Sequence, residues 1–151
     1  MKPTLLFLDE EDLIDFQVYG LISNYTDGPK FIYQINQFFH TQFKRVDDLE
    51  ILMDGMNLRF PLFEWIDKQT QIKFHIIKNI AYTIKENKNS NNLSHLFDIS
   101  PPLLKSYKEY TYFLRIQDDE SNSLPVKETH FIQKITKLDT KKIKSIDYLI
   151  F

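Results

Sequence analysis

Alternating apolar and polar positions predict β-strands in two parts of the chain. In segment 12–22, the apolar residues that share one side of an extended chain are Ile14, Phe16, Val18 and Ile22. In segment 107–116, they are Tyr110, Tyr112, Leu114 and Ile116. A period of two residues is typical of a strand that buries one face, so we predict a strand in each segment.

Segment 29–43 follows a helical spacing instead. Asp27 or Gly28 can cap its start, and Pro29 suits the first helical position. Apolar residues then recur every three or four positions: Phe31, Ile35, Phe38 and Phe43, flanked by Ile32 and Phe39. This pattern predicts an amphipathic helix that covers one face of a sheet.

A two-residue turn at Asp54-Gly55, between two apolar runs, predicts a β-hairpin. The turn fixes which residues face each other: Met53 and Met56, Ile51 and Leu58, Leu49 and Phe60, Glu50 and Arg59. The last pair carries opposite charges, which the position of the turn did not presuppose and which therefore supports the register.

The segment PLFEWIDKQTQIKFHIIKN (61–79) predicts a second hairpin, with its turn at Lys68-Gln69. The facing residues are then Trp65 and Ile72, Phe63 and Phe74, Pro61 and Ile76, Glu64 and Lys73. Together the hairpins predict a meander of three strands, at about 46–53, 56–66 and 70–80, with a bulge near Pro61 where the buried parity changes. In this interpretation Trp65 belongs to the core rather than to a site.

The remaining segments complete a single α+β domain of 151 residues. Residues 85–106 are rich in Asn, Ser and Lys, and we expect a long loop there. Segment 126–138 fits either a helix or a strand that returns along 107–116, and its Thr, Val and Ile content favours the strand. Residues 139–151 form a C-terminal tail with a short helical turn at its start. The predicted fold is an antiparallel sheet of five or six strands, with a meander core and one amphipathic helix packed on one face.

Composition narrows the class of protein. The chain is 42% hydrophobic and 15% aromatic, which favours a folded domain over disorder. Its net charge of -2 gives no overall positive field for nucleic acid. The absence of cysteine excludes disulfides and thiolate metal sites and fits a reducing compartment. Since no apolar run approaches the roughly 18 residues of a spanning helix, and no secretory signal is recognisable, we expect no membrane insertion and a cytoplasmic location.

Catalytic and metal-binding signatures are missing from the sequence. No HExxH, GxSxG or glycine-rich phosphate loop occurs. The four histidines, His40, His75, His95 and His130, are far apart, and we interpret them as surface residues, with His75 opposite Leu62. The acidic groups at 9–12, 47–48 and 118–120 are interpreted as solubilising strand ends. We therefore predict no catalytic residue, no cofactor and no metal, and favour a non-catalytic role over a small enzyme of unknown chemistry.

Two apolar features suggest a protein partner. The chain ends on Tyr148-Leu149-Ile150-Phe151, which must either pack into the domain, the default expectation, or dock on a partner. The face of the sheet away from the helix is expected to carry Leu13, Tyr19, Leu21, Leu52, Leu62, Ile66 and Phe113, and the loop 85–106, the tail or another chain must cover it. The candidate partner-binding residues are Tyr148, Leu149, Ile150, Phe151, Tyr19, Leu62 and Ile66, and the partner is another protein chain or a second copy.

A cluster of lysines near the end of the chain supports an alternative. It comprises Lys134, Lys137, Lys141, Lys142 and Lys144. Tyr107, Tyr110 and Tyr112, on a strand that could lie beside them, are candidate platforms on which RNA bases stack. The alternative function is an RNA-associated factor.

Four segments resemble the IPExxxVDY family, small cytoplasmic proteins of Bacteroidetes whose biochemical function is not established. They are GLIS (20–23), FKRVDDLEI (43–51), FEWIDKQTQIKFHIIKNI (63–80) and IKSIDYLIF (143–151). The naming motif is degenerate: Tyr110-Thr111-Tyr112 stands near its expected place, and its aspartate is missing. The resemblance implies a cytoplasmic bacterial protein but no activity. The apolar second face and the tail lead us to expect a protein–protein interaction module or an accessory subunit of a complex.

Overall fold

The computed structural model describes residues 14–82, 100–118 and 124–151, which form a six-stranded antiparallel sheet and a single α-helix. The elements are β1 (Gln17–Ile22), α1 (Gly28–Phe39), β2 (Lys44–Met53), β3 (Met56–Ile66), β4 (Lys73–Lys78), β5 (Tyr112–Ile116) and β6 (Lys134–Leu138). The strand order is β2-β3-β4-β5-β1-β6, so β2 and β6 are the outer strands. The predicted α+β class and antiparallel sheet are confirmed.

The helix α1 begins as predicted and ends earlier. The Asp27 carboxylate accepts a hydrogen bond from the Lys30 N–H at 3.1 Å and caps the first turn. The last helical residue is Phe39, because His40 adopts a left-handed conformation with φ 58°. Phe43 is buried in the same core, but it reaches the core from the loop before β2, where the Asn36 side chain bonds both its N–H and its carbonyl. Helical spacing alone could not show whether Phe43 is buried from within the helix or from the loop that follows it.

The first hairpin has the predicted register. Glu50 faces Arg59, and the Arg59 Nη2 and Glu50 Oε1 atoms are 3.2 Å apart. Asp54 and Gly55 both have positive φ, 52° and 76°, as a primed two-residue turn requires. The register shifts between Val46 and Leu49, opposite Pro61, so a bulge is present near Pro61, but its extra residue is on β2. The predicted change of buried parity along β3 is wrong, because Leu58, Phe60 and Leu62 all lie in one core.

The second hairpin departs from the predicted register by two residues. Glu64 faces His75 rather than Lys73, and Trp65 faces Phe74 rather than Ile72. The turn is longer than predicted: Asp67 N–H donates to the Ile72 carbonyl at 2.9 Å, and Gln71 has a φ of 63°. A shift of two residues leaves every side chain on its own face, which is why the fold survives the error.

Both faces of the sheet are covered, each by a separate core. The helix-side core lies under α1 and contains Leu21, Phe31, Ile32, Ile35, Phe43, Phe63, Phe74, Ile76, Tyr112, Leu114, Ile116, Val126, Phe131 and Ile132. The tail-side core lies under residues 103–110 and the tail, and contains Phe16, Val18, Leu49, Met53, Leu58, Phe60, Leu62, Ile77, Ala81, Leu103, Leu104, Tyr110, Phe113, Leu138, Ile143, Ile146 and Leu149. Trp65 packs at the edge of the helix-side core, with its ring stacked 4.9 Å from that of Phe74, so its assignment to the core is confirmed.

The residues that we expected on the second face do not share one face. Leu62 and Phe113 lie in the tail-side core, whereas Tyr19 and Leu21 belong to the helix side. Leu52 and Ile66 are exposed, and Leu13 is outside the described residues. The expectation was wrong because both faces of the inner strands are apolar, and because the bulge in β2 reverses which of its residues point inward.

The C-terminal third of the chain also differs in detail from the prediction. The strand in 107–116 starts only at Tyr112, and Tyr110 lies in the tail-side core, on the side opposite to Tyr112. Segment 126–138 contains a strand only at its end, β6, which pairs with β1 and not with β5. The turn predicted at Asp139 is confirmed, since its carboxylate accepts from the Lys141 N–H at 3.0 Å.

Two further observations concern the rest of the chain. Most of the predicted loop 85–106 falls outside the described residues, which resume at residue 100. In the part that the structure describes, no helix has the length and apolar character needed to cross a membrane.

Candidate functional site

The tail-side core contains an arginine and a histidine that are almost completely buried. Arg115 and His75 face each other across β5 and β4, and the two residues are 2% and 4% exposed. Arg115 Nη1 donates to His75 Nδ1 at 3.3 Å, and Arg115 Nε donates to the carbonyl of Leu149 in the tail at 2.8 Å. The guanidinium also lies 4.4 Å from the ring centroid of Phe16 and 4.5 Å from that of Phe151. Arg115 therefore ties the tail to the sheet.

Glu64 on β3 extends this pair to a line of three side chains. His75 Nε2 is 2.9 Å from Glu64 Oε2. Because arginine can only donate, His75 Nδ1 must be the acceptor, and Nε2–H donates to Glu64 in a neutral imidazole. Burial lowers the pKa of His75, against the opposing effect of the Glu64 hydrogen bond, and the charge of Arg115 lowers it further. Burial also lowers the pKa of Arg115 to about 10, which leaves it charged at neutral pH.

The position of His75 corrects two predictions. It is a buried residue, not a surface one, and it faces Glu64 rather than Leu62. Both of its ring nitrogens contact protein groups, and the ring of Phe151 packs edge-on at 4.9 Å. This arrangement orients the tail and offers no open face to a substrate. The alternation of KFHIIK could have indicated burial, since its neighbours Phe74, Ile76 and Ile77 are all apolar.

The predicted partner-binding residues are not gathered into one surface. Leu149 and Leu62 are buried, and Tyr148, Ile150 and Tyr19 are partly buried against the two cores. Only Ile66 and Phe151 remain largely exposed, at 42% and 46%. The tail thus packs into the domain, which was the default expectation.

A different apolar surface is formed by the hairpin arm, which we define as residues 48–60 of β2 and β3 and their turn. Its tail-side face is buried, but the helix-side core takes no residue from β2 and only Phe63 and Trp65 from β3. Leu52 (69%) and Met56 (51%) are exposed on the arm, with Met56 opposite Met53 at the turn, and Ile80 (45%) and Tyr82 (38%) are exposed after β4, where Tyr82 pairs with Arg59 of β3. They are four of the eight large exposed hydrophobic residues in the described chain. We call these four residues the arm surface.

The polar groups around the arm surface are held in pairs. Asp48 accepts hydrogen bonds from Arg45 and from the Tyr82 hydroxyl. Tyr82 also pairs with Arg59 through two backbone hydrogen bonds, and Arg59 pairs with Glu50. The bulge after Val46 turns Asp48 toward this side of β2. The sequence indicated Leu52 as apolar but gave no sign that Ile80 and Tyr82, beyond β4, would join it.

The lysine cluster is exposed, whereas two of the tyrosines proposed with it are not. All five lysines from Lys134 to Lys144 are exposed. Tyr110 is 8% exposed, and Tyr112 is fully buried with its hydroxyl donating to the Tyr25 carbonyl at 2.7 Å. Burial raises the pKa of Tyr112. These two rings are not available for base stacking.

Residues in the segments that carry the family resemblance organise the chain around the tail-side core. The Asn79 side chain donates to the carbonyls of Tyr107 and Tyr110, each at 3.0 Å, and accepts from the N–H groups of Leu103 and Leu104. A Cβ on Gly20 would lie only 2.5 Å from the Tyr110 ring, so that ring can pack only over a glycine. These residues therefore have structural roles.

The other candidates do not combine into a site. His40 ends α1, His130 is exposed, and His95 lies outside the described residues, as do the acidic residues 9–12 and 119–120. Within the described ranges, no group of three or more His, Asp or Glu side chains could hold a metal ion.

Comparison with known proteins adds no relative: no family model, no curated protein and no solved structure matches this chain. The resemblance to the IPExxxVDY family stays a prediction from the sequence.

Proposed function

We propose that this protein is a non-catalytic interaction module, an adaptor or accessory subunit of a cytoplasmic bacterial complex, which binds another protein chain through the arm surface. The observation that carries the proposal is the exposure of four large apolar side chains at one end of the sheet, where Leu52 and Met56 belong to the hairpin arm and Ile80 and Tyr82 follow β4. Exposed apolar residues are ordinary when scattered, but several in one region of the surface are typical of a binding surface.

The chemistry of the hairpin arm supports this assignment. The apolar residues Leu52 and Tyr82 are accompanied by two arginines and two acidic residues that already bond each other. Such paired charges lose less on desolvation than isolated ones, and protein interfaces commonly have an apolar centre within a polar rim. One side of the arm is fixed by the tail-side core, so the surface is rigid before binding.

The test compares the native chain with the double variant Leu52→Ser, Ile80→Ser. Light scattering over a concentration series reports self-association, and affinity purification from the native cytoplasm reports partners. We expect a dimer or a co-purifying protein whose affinity falls about tenfold or more in the double variant, because two apolar anchors are lost. Tyr33→Ser is the matched control, since Tyr33 is 61% exposed on α1, away from the arm.

A co-purifying protein supports the proposal only when the control retains it and the double variant loses it. A strictly monomeric native chain without a partner contradicts the proposal, and so does binding that the double variant leaves unchanged. Both variants alter exposed side chains, so their thermal unfolding midpoints should match that of the native chain.

RNA association is the second candidate, and the exposure of all five lysines is the observation that favours it. It lacks the aromatic platforms that were predicted for it, because Tyr110 and Tyr112 are buried. Binding of this kind would depend on charge alone and should weaken steeply with salt, which a filter-binding titration measures.

A further inference from the structure

The outer strand β6 lies at the end of the sheet opposite to the hairpin arm. It pairs with β1 on one side, and no strand among the described residues pairs with its other side. Its ladder with β1 runs without a register shift from Lys134 to Leu138. A regular outer strand presents backbone N–H and C=O groups to which an extended peptide can add.

One hydrogen bond identifies the backbone groups that point outward. The N–H of Ile135 donates to a carboxylate oxygen of Glu128, with an N···O distance of 3.4 Å. Because backbone groups alternate along a strand, the N–H of Lys137 faces the same outward side. The bond to Glu128 is long and exposed, so it is weak, and a better placed acceptor could replace it. A carboxylate therefore already occupies this edge in the free protein.

The charge around the edge is positive, although the whole chain has a net charge of -2. Lys134 and Lys137 are exposed on β6 itself, and Lys141, Lys142 and Lys144 follow it. Asp139 is committed to the turn after β6, where its side chain accepts from the Lys141 N–H. Such a local excess of lysines favours an anionic partner.

A cavity lies at the end of β6, between this strand and the start of β1. It measures about 390 Å³ and is lined by Phe16, Gln17, Lys137, Leu138, Asp139 and Thr140. Phe16 and Leu138 make part of its wall apolar, and Lys137 contributes a positive charge. The volume falls in the lower range of small-ligand pockets, which suits one large apolar side chain.

The other outer strand, β2, differs in the features that matter for strand addition. Its register shifts between Val46 and Leu49, and a bulge of this kind interrupts the row of backbone groups. Near the bulge it also carries the exposed Asp47, which would repel an acidic peptide. These features favour β6 over β2 as the strand to which an acidic peptide would add.

From these observations we propose that β6 binds an extended acidic peptide by strand addition, with its backbone on Ile135 and Lys137 and its carboxylates on the lysine cluster. This inference goes beyond the proposed function. The arm surface and β6 lie at opposite ends of the sheet, so either binding proposal can be refuted without affecting the other.

The test is a fluorescence-anisotropy titration with a short labelled peptide that alternates glutamate and valine and ends in phenylalanine. We expect saturable binding that weakens with salt, and no binding of the same peptide with lysine in place of glutamate. A version with N-methyl groups at alternate backbone nitrogens should bind about tenfold more weakly, because it cannot form the ladder with β6.

Variants locate the site on β6. Reversing two charges, in Lys134→Glu with Lys137→Glu, should weaken peptide binding about tenfold or more. The matched control is Lys44→Glu with Lys68→Glu, which reverses two exposed lysines on β2 and in the turn before β4 and should leave the affinity unchanged. Glu128→Ala should tighten binding by about two- to fivefold, because it removes the competing carboxylate. Leu52→Ser should have no effect, which separates this edge from the arm surface.

Three results would overturn the proposal, provided that the variants keep the unfolding temperature of the native chain. The first is equal affinity for the N-methylated and the unmodified peptide. The second is an equal loss of affinity in the control and in the β6 charge reversals, and the third is an affinity that Glu128→Ala does not increase. Binding of an oligouridylate with the same lysine dependence, without binding of the peptide, would assign the cluster to nucleic acid instead.

Discussion

On one side of the sheet α1, together with the irregular residues 126–132, covers an apolar core. On the other side a chain with only short 3-10 turns covers a core that includes charge. The helix-side core is dominated by aromatic and aliphatic contacts, such as Phe31 stacked 4.0 Å from Tyr112. The tail-side core also contains the polar side chains of Arg115, His75 and Asn79, which are almost completely buried. Both sides have similar apolar residues, so hydrophobicity does not explain the difference.

The difference follows from backbone hydrogen bonding. An α-helix satisfies most of its own N–H and C=O groups, so its partner face needs only apolar side chains. The segments near residues 103–110 and 143–151 lack regular structure, and their buried carbonyls need donors from elsewhere. Asn79 supplies donors to Tyr107 and Tyr110, and Arg115 supplies one to Leu149. An irregular cover thus requires polar residues in the core beneath it.

The largest effect is expected from a substitution in the helix-side core. Phe31→Ala removes a fully buried ring that stacks on Tyr112, and should lower the free energy of unfolding by about 3–5 kcal/mol in a urea titration. Tyr33→Ala, on the exposed side of the same helix, should change it by about 0.5 kcal/mol or less. Similar losses for both variants would show that α1 does not bury its core through Phe31.

The next effect tests whether the tail side depends on a donor as well as on volume. Arg115→Ala leaves the Leu149 carbonyl unpaired and opens a cavity, and should cost about 2–4 kcal/mol. Arg115→Met restores volume but donates nothing, so it should still cost about 1–2 kcal/mol. Amide exchange in residues 143–151 should accelerate in both variants, while exchange in α1 stays slow. If Arg115→Met had the same free energy of unfolding as the native chain, packing alone would hold the tail.

The smallest effect is a dependence of stability on pH that belongs to the tail side. The pKa of His75 is lowered from its ordinary value of 6.5, mainly by burial, so the unfolded chain binds a proton more readily than the folded one. The contribution of His75 is therefore complete above pH 6.5 and is lost as the pH falls from there toward the lowered pKa. Protonation also replaces the acceptor that Arg115 needs at Nδ1.

The measurement is the urea midpoint between about pH 5.5 and pH 7.5, a range in which ordinary carboxylates hardly titrate. His75→Gln should flatten the slope of the urea midpoint against pH. His40→Gln and His130→Gln, at exposed positions, should retain the native slope. A native slope of zero, or one that persists in His75→Gln, contradicts the assignment.

The sequence predicted well those features that short-range chemistry controls. Asp54-Gly55 allows positive φ at both positions, which set the first hairpin and its Glu50–Arg59 pair. The start of α1 at Asp27-Gly28-Pro29 follows from capping and from the fixed φ of proline. The second hairpin was misjudged because its turn, with Gln71 in a left-handed conformation, has no glycine or asparagine to mark it.

The candidate sites were predicted less well, because they depend on which strands are neighbours. Nothing local indicates that His75 would face Arg115, or that Tyr82 would pair with Arg59 beyond the end of β4. The same holds for β6, whose partner is β1 rather than β5. The lysines of β6 were visible in the sequence, but their position on an outer strand was not.

The sequence by itself determined the kind of elements, the first hairpin register and the need to cover two apolar faces, since these depend on side-chain periodicity and local backbone preference. Only the tertiary structure decided the strand order, the division of apolar residues between two cores and the burial of Arg115 and His75. These features arise from pairing between distant segments, and many pairings share the same local pattern. Their choice is made by packing and by the hydrogen bonds that buried backbone groups require.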